Sequence, residues 1–253
     1  MIRPNWQAYT NLAWVESIIS SPEEYREETE VFCRLIKSFI NTKPLTMLHL
    51  GCGAGLNDSI FKTQFQVTGV DISDDMLRLA KEINPELTYI CGDMRAIRLE
   101  HKYDVVVIPD SIGYMTSLKD LRQALSTSFH HLKHGGVFLV VILIEEEFQE
   151  TNFVYSGTKE DIKVTVFENN TIPQKAKNSY EATFIYLIRD KTNLKIYTDL
   201  HTIGLFPIEV WLNLLIETGF EIKHQQAGHF YDSYILREGE YPLNIFVCTK
   251  PPE

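Results

Sequence analysis

A glycine-rich loop and the carboxylate that follows it form the clearest ligand-binding pattern in this sequence. The segment Gly51-Cys52-Gly53-Ala54-Gly55 lies between an apolar run at 47–50 and a helical pattern at 57–63. Glycines at such a turn permit positive φ and let a ligand approach the backbone, and the helix dipole adds positive potential. Asp71 ends the next apolar run, twenty residues after Gly51. In doubly wound sheets an acid at that place binds a ribose diol.

The spacing of the glycines distinguishes between classes of nucleotide ligand. The dinucleotide fingerprint is G-x-G-x-x-G, but the third glycine here comes one residue early and Leu56 occupies the fingerprint position. This disfavours a nicotinamide or flavin dinucleotide. An NAD-dependent oxidoreductase therefore stays only as an alternative function.

The elements that must position this loop alternate between strand and helix from residue 47 to residue 144. The strands are mostly continuous apolar runs, which is typical of a parallel sheet with helices on both faces. We predict strands at 47–50, 67–72, 87–91, 103–108 and 137–144, and helices at 57–63, 76–82 (capped at Ser73) and 118–132. A last helix at 207–218 ends at Gly219 and precedes two strands, at 220–225 and 243–249.

Two segments flank or interrupt this pattern. Ser21 is a candidate helix cap with Pro22 at the first helical position, and the helix is expected to end at Lys43-Pro44. After Glu147, polar and apolar residues alternate, which predicts three antiparallel strands at 161–171, 179–189 and 195–203. We expect a single domain over 1–253, with a helical lid segment (1–43), a cofactor-binding core (44–147), an antiparallel insert (148–205) and a closing part (206–253).

The glycine loop with its acid resembles class I S-adenosylmethionine-dependent methyltransferases. Further segments carry the likeness: Gly92-Asp93-Met94, where such enzymes contact adenine, Pro109 to Tyr114, where cofactor and acceptor meet, and His131 to Gly136. The resemblance implies a Rossmann-like seven-stranded α/β sheet, with the three-stranded insert after the fifth strand. The cofactor-binding residues it implies are His49, Gly51, Cys52, Gly53, Gly55, Asp71, Ile72, Met76, Gly92, Asp93, Met94, Pro109 and Tyr114.

One subfamily is more similar than the others. Gly92 to Arg95, Arg98-Leu99, Ser111 to Tyr114 and Asp199 to Phe206 resemble the N,N-dimethyltransferases of macrolide deoxyamino-sugar pathways, which also carry an antiparallel insert. The resemblance implies methyl transfer from S-adenosylmethionine to a small-molecule amine, such as one on a nucleotide-linked sugar. A small-molecule O-methyltransferase and a non-catalytic cofactor-binding protein are the alternatives.

His49 departs from the family pattern, in which an acid usually lies two residues before the first glycine, near the methionine amino group. A neutral imidazole accepts a hydrogen bond but supplies no full negative charge. His49 is therefore either a weaker partner for the cofactor ammonium or a buried histidine beneath the loop. This departure motivates the non-catalytic alternative.

The chemistry of methyl transfer asks mainly for alignment and exclusion of water, because the methyl sulfonium is already activated. A general base is needed only if the acceptor arrives protonated or as a hydroxyl. Tyr9 matches a tyrosine that lines the active site of the amino-sugar enzymes, and Asp110 is a candidate to bind an acceptor amine. The alternative for Tyr9 is a tyrosine that only packs on a helix, and the alternative for Asp110 is a solvated loop acid. We expect His201 to be an exposed strand histidine and Glu145 to Glu147 to be a solvated loop.

Composition excludes several classes of partner. The net charge of −10 opposes binding to nucleic acid and to anionic lipid, and the N-P-P-Y-type tetrapeptide of base methyltransferases is absent. The longest apolar run, at 135–144, is too short to span a bilayer. Four scattered cysteines predict a reducing cytoplasm and no metal site. We expect a small-molecule acceptor, no nucleic acid and no membrane, with the insert as a candidate homodimer surface.

Overall fold

The computed structural model describes residues 6–40 and 45–253. The described strands are β1 (Thr46–Leu50), β2 (Gln66–Asp71), β3 (Thr88–Cys91), β4 (Tyr103–Ile108), β5 (Leu132–Ile142), β6 (Thr151–Lys159), β7 (Ile162–Thr171), β8 (Ser179–Asp190), β9 (Asn193–Gly204), β10 (Glu221–Gly228) and β11 (Leu243–Thr249). The α-helices are α1 (Glu16–Ile19), α2 (Arg26–Lys37), α3 (Asp58–Phe61), α4 (Asp74–Ile83), α5 (Leu118–His131) and α6 (Ile208–Thr218). None of these described helices is long and apolar enough to cross a membrane.

Seven strands form the central sheet, in the order β10-β11-β5-β4-β1-β2-β3. The pairs from β5 through β3 are parallel, whereas β11 runs antiparallel to both of its neighbours. Two apolar clusters cover the opposite faces of this sheet, one containing α5 and α6 residues and the other α2 residues. The predicted fold class is therefore confirmed, and the strands at 103–108 and 243–249 have the predicted bounds.

The helix termini follow the predicted capping residues. Ser73 Oγ accepts a hydrogen bond from the Met76 amide at 3.1 Å, at the start of α4. Gly219, with φ of +102°, ends α6 in the left-handed conformation. The helix predicted from Pro22 begins later, at Arg26, because Ser21 binds Glu24 within a separate turn. Its predicted end at Lys43-Pro44 lies outside the described residues.

The prediction of a three-stranded insert is wrong, because the second sheet has four strands in the order β6-β7-β8-β9. The missed strand, β6, contains Asn152, Ser156 and Gly157, which obscure its alternation. Gly157 is required by close packing: a Cβ built there would lie 1.8 Å from the carbonyl oxygen of Ile18. The second sheet thus packs directly against the N-terminal segment that carries α1.

Residues 6–19 lie between the two sheets. Leu12 and Val15 pack with Val164 and Val166 of β7, whereas Ala13 packs with residues of the glycine loop and α4. This segment therefore covers the carboxyl ends of the central strands.

Candidate active site

A cavity of about 570 Å³ lies at the carboxyl ends of the central strands, beneath residues 6–19 and the second sheet. Open α/β sheets bind their ligands at this edge. The predicted site residues that line it are Tyr9, His49, Gly51, Cys52, Gly53, Asp71, Ile72, Met76, Gly92, Asp93, Met94, Pro109, Asp110 and Tyr114. Residues from widely separated parts of the sequence therefore meet at one cavity.

Gly55 is the predicted residue that does not line this cavity. A Cβ built on it would lie 2.6 Å from the Tyr89 hydroxyl, and its carbonyl oxygen accepts from Asn84 Nδ2 at 2.8 Å. Its φ of +71° and this close packing explain the glycine. Gly55 is a turn residue beneath the loop.

Asp71 and the glycine loop are joined by a short hydrogen bond. Oδ2 of Asp71 accepts from the Gly53 amide at 2.9 Å, and Oδ1 accepts from the Ser73 amide at 2.8 Å. Burial raises the pKa of Asp71, and these amide hydrogen bonds act against that rise. Each oxygen keeps a further lone pair, which suits a vicinal diol.

Asp93 is held by an arginine. Its carboxylate accepts from Arg95 Nε and, at 2.6 Å, from Arg95 Nη2, and Arg95 also binds Asp120. Although desolvation acts to raise it, the Arg95 hydrogen bonds lower the pKa of Asp93. The resemblance implies that Asp93 accepts a hydrogen bond from the adenine amino group. Because Arg95 already donates to both carboxylate oxygens, most of the acceptor capacity of Asp93 is used within the protein.

His49 is both buried and part of the cavity lining. The ring is 2% exposed, and its Nδ1 lies 2.7 Å from Oδ1 of Asp58, which is fully buried. The Tyr89 hydroxyl donates to the other oxygen of Asp58 at 3.0 Å. When Nδ1 carries the proton that Asp58 accepts, Nε2 is left as a hydrogen-bond acceptor.

A chain of hydrogen bonds crosses the acceptor side of the cavity. The hydroxyls of Tyr9 and Tyr114 lie 2.6 Å apart, and the Tyr114 hydroxyl lies 3.0 Å from Nδ1 of His201. Nε2 of His201 lies 3.0 Å from Oδ2 of Asp199. Trp6 stacks on His201 with ring centroids 4.9 Å apart and covers this chain.

The expectation that His201 is exposed is wrong, since the side chain is fully buried. Desolvation lowers its pKa, although Asp199 acts in the opposite direction. The available signal was the spacing Asp199-x-His201, which puts both side chains on one face of a strand. Glu146, by contrast, lies outside the cavity and accepts from the Ile208 amide at the start of α6.

The geometry fits S-adenosylmethionine. A Cβ built on Gly53 would meet no atom within 4 Å, so there is open space directly above the loop and beside Asp71. Asp71 would bind the ribose, Ile72 and Met94 would enclose the base, and His49 would face the methionine amino group. These residue roles remain predictions.

Comparisons with known proteins agree with this geometry. Residues 47–136 match the family model for a methyltransferase domain. The dTDP-3-amino-3,4,6-trideoxy-alpha-D-glucopyranose N,N-dimethyltransferase of Streptomyces venezuelae is 25% identical over 209 residues, which cover 81% of this chain and 87% of that protein. The malonyl-(acyl-carrier protein) O-methyltransferase of Bacillus anthracis is 29% identical over 122 residues, covering 46% and 44%.

The whole fold has solved counterparts. The X-ray structure of the sugar N-methyltransferase KedS8 from Streptoalloteichus superposes with a TM-score of 0.77 over 99% of this chain and 96% of that chain. At 19% identity this likeness shows the fold. Residues 47–136 thus form a methyltransferase domain, as the sequence predicts, and the whole chain has the fold of a sugar N-methyltransferase.

Proposed function

We propose that this enzyme methylates an amino nitrogen of a small molecule. S-adenosylmethionine supplies a methyl group on a sulfonium, so that a new N–C bond forms as the C–S bond breaks. An amine that arrives as an ammonium must first lose a proton, because only the free lone pair can attack. The observation that carries the proposal is the hydrogen-bonded chain from Tyr9 to Asp199, which offers that proton a route.

The directions of these hydrogen bonds are mutually consistent. Asp199 accepts from Nε2–H of His201, which leaves Nδ1 free to accept from the Tyr114 hydroxyl. Tyr114 in turn accepts from Tyr9, and Tyr9 accepts from the ammonium. Burial raises the pKa of both tyrosines, so each passes on a proton without resting as a phenolate. The proton ends on His201, beside the Asp199 carboxylate.

The extent of the matches also favours an amine over a hydroxyl acceptor. The N,N-dimethyltransferase match covers 81% of the chain, whereas the O-methyltransferase match covers 46%. Only the longer match is extensive enough to include both sheets. The cofactor side is common to many methyltransferases, but the acceptor side includes β7 and β9.

The test is a matched acceptor pair, an amino sugar and the same sugar with a hydroxyl in place of the amine. Each is incubated with enzyme and S-adenosylmethionine, and the product is analysed by mass spectrometry. We expect one or two methyl groups on the amine and none on the hydroxyl analogue. Methylation of the hydroxyl sugar alone would make the enzyme an O-methyltransferase. Binding of S-adenosylhomocysteine with no transfer to any acceptor would favour a non-catalytic protein.

We also propose that the second sheet pairs two copies of the chain. Strand β9 is an edge strand, and Leu194, Ile196 and Leu200 on it are each about half exposed. Apolar edge strands are templates for pairing. Light scattering should give twice the monomer mass, and Ile196→Lys should return the protein to a monomer.

The proposed location is a reducing cytoplasm. Its basis is that Cys33, Cys52 and Cys248 are buried free thiols. Fractionation of cells that express the tagged protein tests this location.

A further inference from the structure

Asp110 is a carboxylate that lines the active-site cavity. It follows β4, caps no helix with its side chain, and has no hydrogen bond or ion pair with any described residue. The side chain is accessible from the cavity, yet desolvation by the surrounding protein raises the pKa of its carboxyl. A charge placed in this way favours a cation at the same place.

Three more acids line the acceptor side of the cavity, and their polar partners are neutral. Glu28 accepts from Asn57 Nδ2 at 2.9 Å. Glu168 accepts from the Tyr155 hydroxyl at 2.9 Å, and Glu16 is the third. Burial raises the pKa of all three, and the charge of Asp110 adds to each rise. No lysine or arginine compensates these carboxylates within the described part of the chain.

The basic side chains that line the cavity are already paired. Arg95 is the one lysine or arginine among the described lining residues, and it binds Asp93 and Asp120. The two lining histidines are paired with Asp58 and Asp199. A phosphate in the chamber would therefore meet carboxylates and no free cation from residues 6–40 or 45–253. A phosphate beside these acids would either be repelled by their negative charge or require them to be protonated, and both oppose its binding.

Aromatic rings complete the chamber. Eight of the twelve tyrosines of the chain line the cavity, among them Tyr25, Tyr155, Tyr180, Tyr231 and Tyr241. Aromatic faces attract organic ammonium ions, including methylated ones. Trp211 also lines the cavity, and its Nε1–H is buried without a partner among the described residues. The hydroxyls of the lining tyrosines suit hydroxyl or ether oxygens of a ligand.

We propose that the acceptor is an organic ammonium that bears oxygen functions but no phosphate, and that Asp110 is its counter-ion. The inference rests on the proposed N-methyltransferase function and restricts it. The relative from Streptomyces venezuelae is named for an amino sugar linked to dTDP. This chamber instead fits an amine whose sugar or polyol body carries no nucleotide.

Binding measurements test the charge preference without turnover. Tetramethylammonium and dTDP are each titrated into the complex of the enzyme with S-adenosylhomocysteine. We expect tetramethylammonium to bind at least tenfold more tightly than dTDP, and Asp110→Asn to weaken it at least tenfold. Asp161→Asn is the matched control, because Asp161 is 70% exposed in the turn between β6 and β7 and forms a surface ion pair with Lys191. Tighter binding of dTDP, or unchanged ammonium binding in Asp110→Asn, overturns the inference.

Turnover measurements distinguish a failure of this inference from a failure of the proposed N-methyltransferase function. The acceptors are the methyl glycoside of a 3-amino-3,6-dideoxyglucose and the same sugar linked to dTDP. We expect kcat/KM to be at least tenfold higher for the glycoside. A higher value for the dTDP-linked sugar overturns the inference and leaves N-methylation standing. Ammonium binding as expected, with no amine methylated, contradicts the proposed function and leaves the charge preference standing.

Discussion

His49 and Asp58 form a buried pair in which the imidazole Nδ1 lies 2.7 Å from the carboxylate Oδ1. The pair lies directly below the glycine loop, and only the histidine lines the cavity. The resemblance to class I methyltransferases implies an acid where His49 stands. Here the carboxylate is one side chain further from the cavity, where it would act through the imidazole by holding the proton on Nδ1.

This relationship predicts that His49→Ala weakens binding of S-adenosylhomocysteine about tenfold or more, since hydrogen bonds to charged groups contribute about 1.5–3 kcal/mol. Asp58→Asn should also weaken it, because the imidazole loses the carboxylate that orients it. If His49 and Asp58 act as one unit, the double variant loses less binding free energy for S-adenosylhomocysteine than the sum of the two single losses. Calorimetric titration of the three variants measures this.

A truncated ligand provides the control for that prediction. Methylthioadenosine keeps the nucleoside and the sulfur but has no amino or carboxyl group. Its affinity should be the same in His49→Ala and in the wild type. An equal loss of affinity for both ligands would mean that the variant has disturbed the whole loop.

The chain from Tyr9 to Asp199 predicts a pH-dependent defect in Tyr114→Phe. At neutral pH this variant should lose about 100-fold in kcat, because general-base assistance contributes about 10²–10⁴-fold. At alkaline pH the acceptor amine loses its proton in solution, so the defect should shrink. Wild-type activity needs a neutral His201, which accepts the proton at the end of the chain. Because burial lowers the pKa of His201 from 6.5, activity should fall only below pH 6.5.

The matched control is Tyr197→Phe, which removes a hydroxyl from β9 outside the cavity and should leave the pH profile unchanged. A Tyr114→Phe defect that is constant across pH would point to packing. Tyr114→Phe keeps the aromatic ring and removes only the hydroxyl that bonds Tyr9 and His201, so affinity for S-adenosylhomocysteine should be unaffected in both variants.

The central sheet could be predicted from the sequence because strands buried on both faces read as continuous apolar runs. Strand β4 has five apolar or aromatic residues of six, and its bounds are as predicted. Strand β6 gave no such signal. Its Gly157 is explained by the carbonyl oxygen of Ile18, a contact between distant segments that leaves no local pattern.

The candidate site likewise has one part that local sequence predicts and another that it does not. Gly51, Gly53 and Asp71 could be predicted because adjacent parallel strands bring their carboxyl ends to one edge. For His201, the spacing could place its side chain on the same strand face as Asp199, but its burial could not be predicted, because Trp6 and Tyr114 cover it from other parts of the chain. The tyrosine-rich side of the cavity is likewise assembled by tertiary contacts between the two sheets and the N-terminal segment.

Glu28 predicts a stability that falls with rising pH. Burial raises its pKa from 4.5 to about 7, so the folded state binds this proton more tightly than the unfolded state. The stabilisation is fully present below pH 4.5 and is lost as the pH rises through 7. Glu28→Gln keeps an acceptor for Asn57 and should raise the free energy of unfolding at pH 8, by at most about 3 kcal/mol.

Urea denaturation at pH 5 and pH 8 checks the Glu28 prediction. The gain from Glu28→Gln should be clear at pH 8 and small at pH 5. Glu100→Gln, at an exposed position, should change neither value. A gain of equal size at both values of pH would show that the charge of Glu28 is not its cause.

Two glycines of the loop predict opposite consequences for the same substitution. A Cβ on Gly51 would lie 1.8 Å from Oγ and 2.6 Å from Cβ of Ser111, a short side chain that cannot move aside. Positive φ adds about 1–2 kcal/mol of strain, and overpacking adds about 1–3 kcal/mol. Gly51→Ala should therefore lower the free energy of unfolding by about 3 kcal/mol or more, as measured by urea denaturation.

Gly53→Ala should instead damage binding more than folding. Its φ of +51° adds about 1–2 kcal/mol of strain, but the new Cβ meets no protein atom within 4 Å. The space that it fills is the open part of the cavity above the loop, where the cofactor is expected. Calorimetry should show weaker binding of S-adenosylhomocysteine, with most of the wild-type stability retained. Unchanged binding would show that the cofactor does not lie against Gly53, because a ligand bound at that place has to contact the added methyl group.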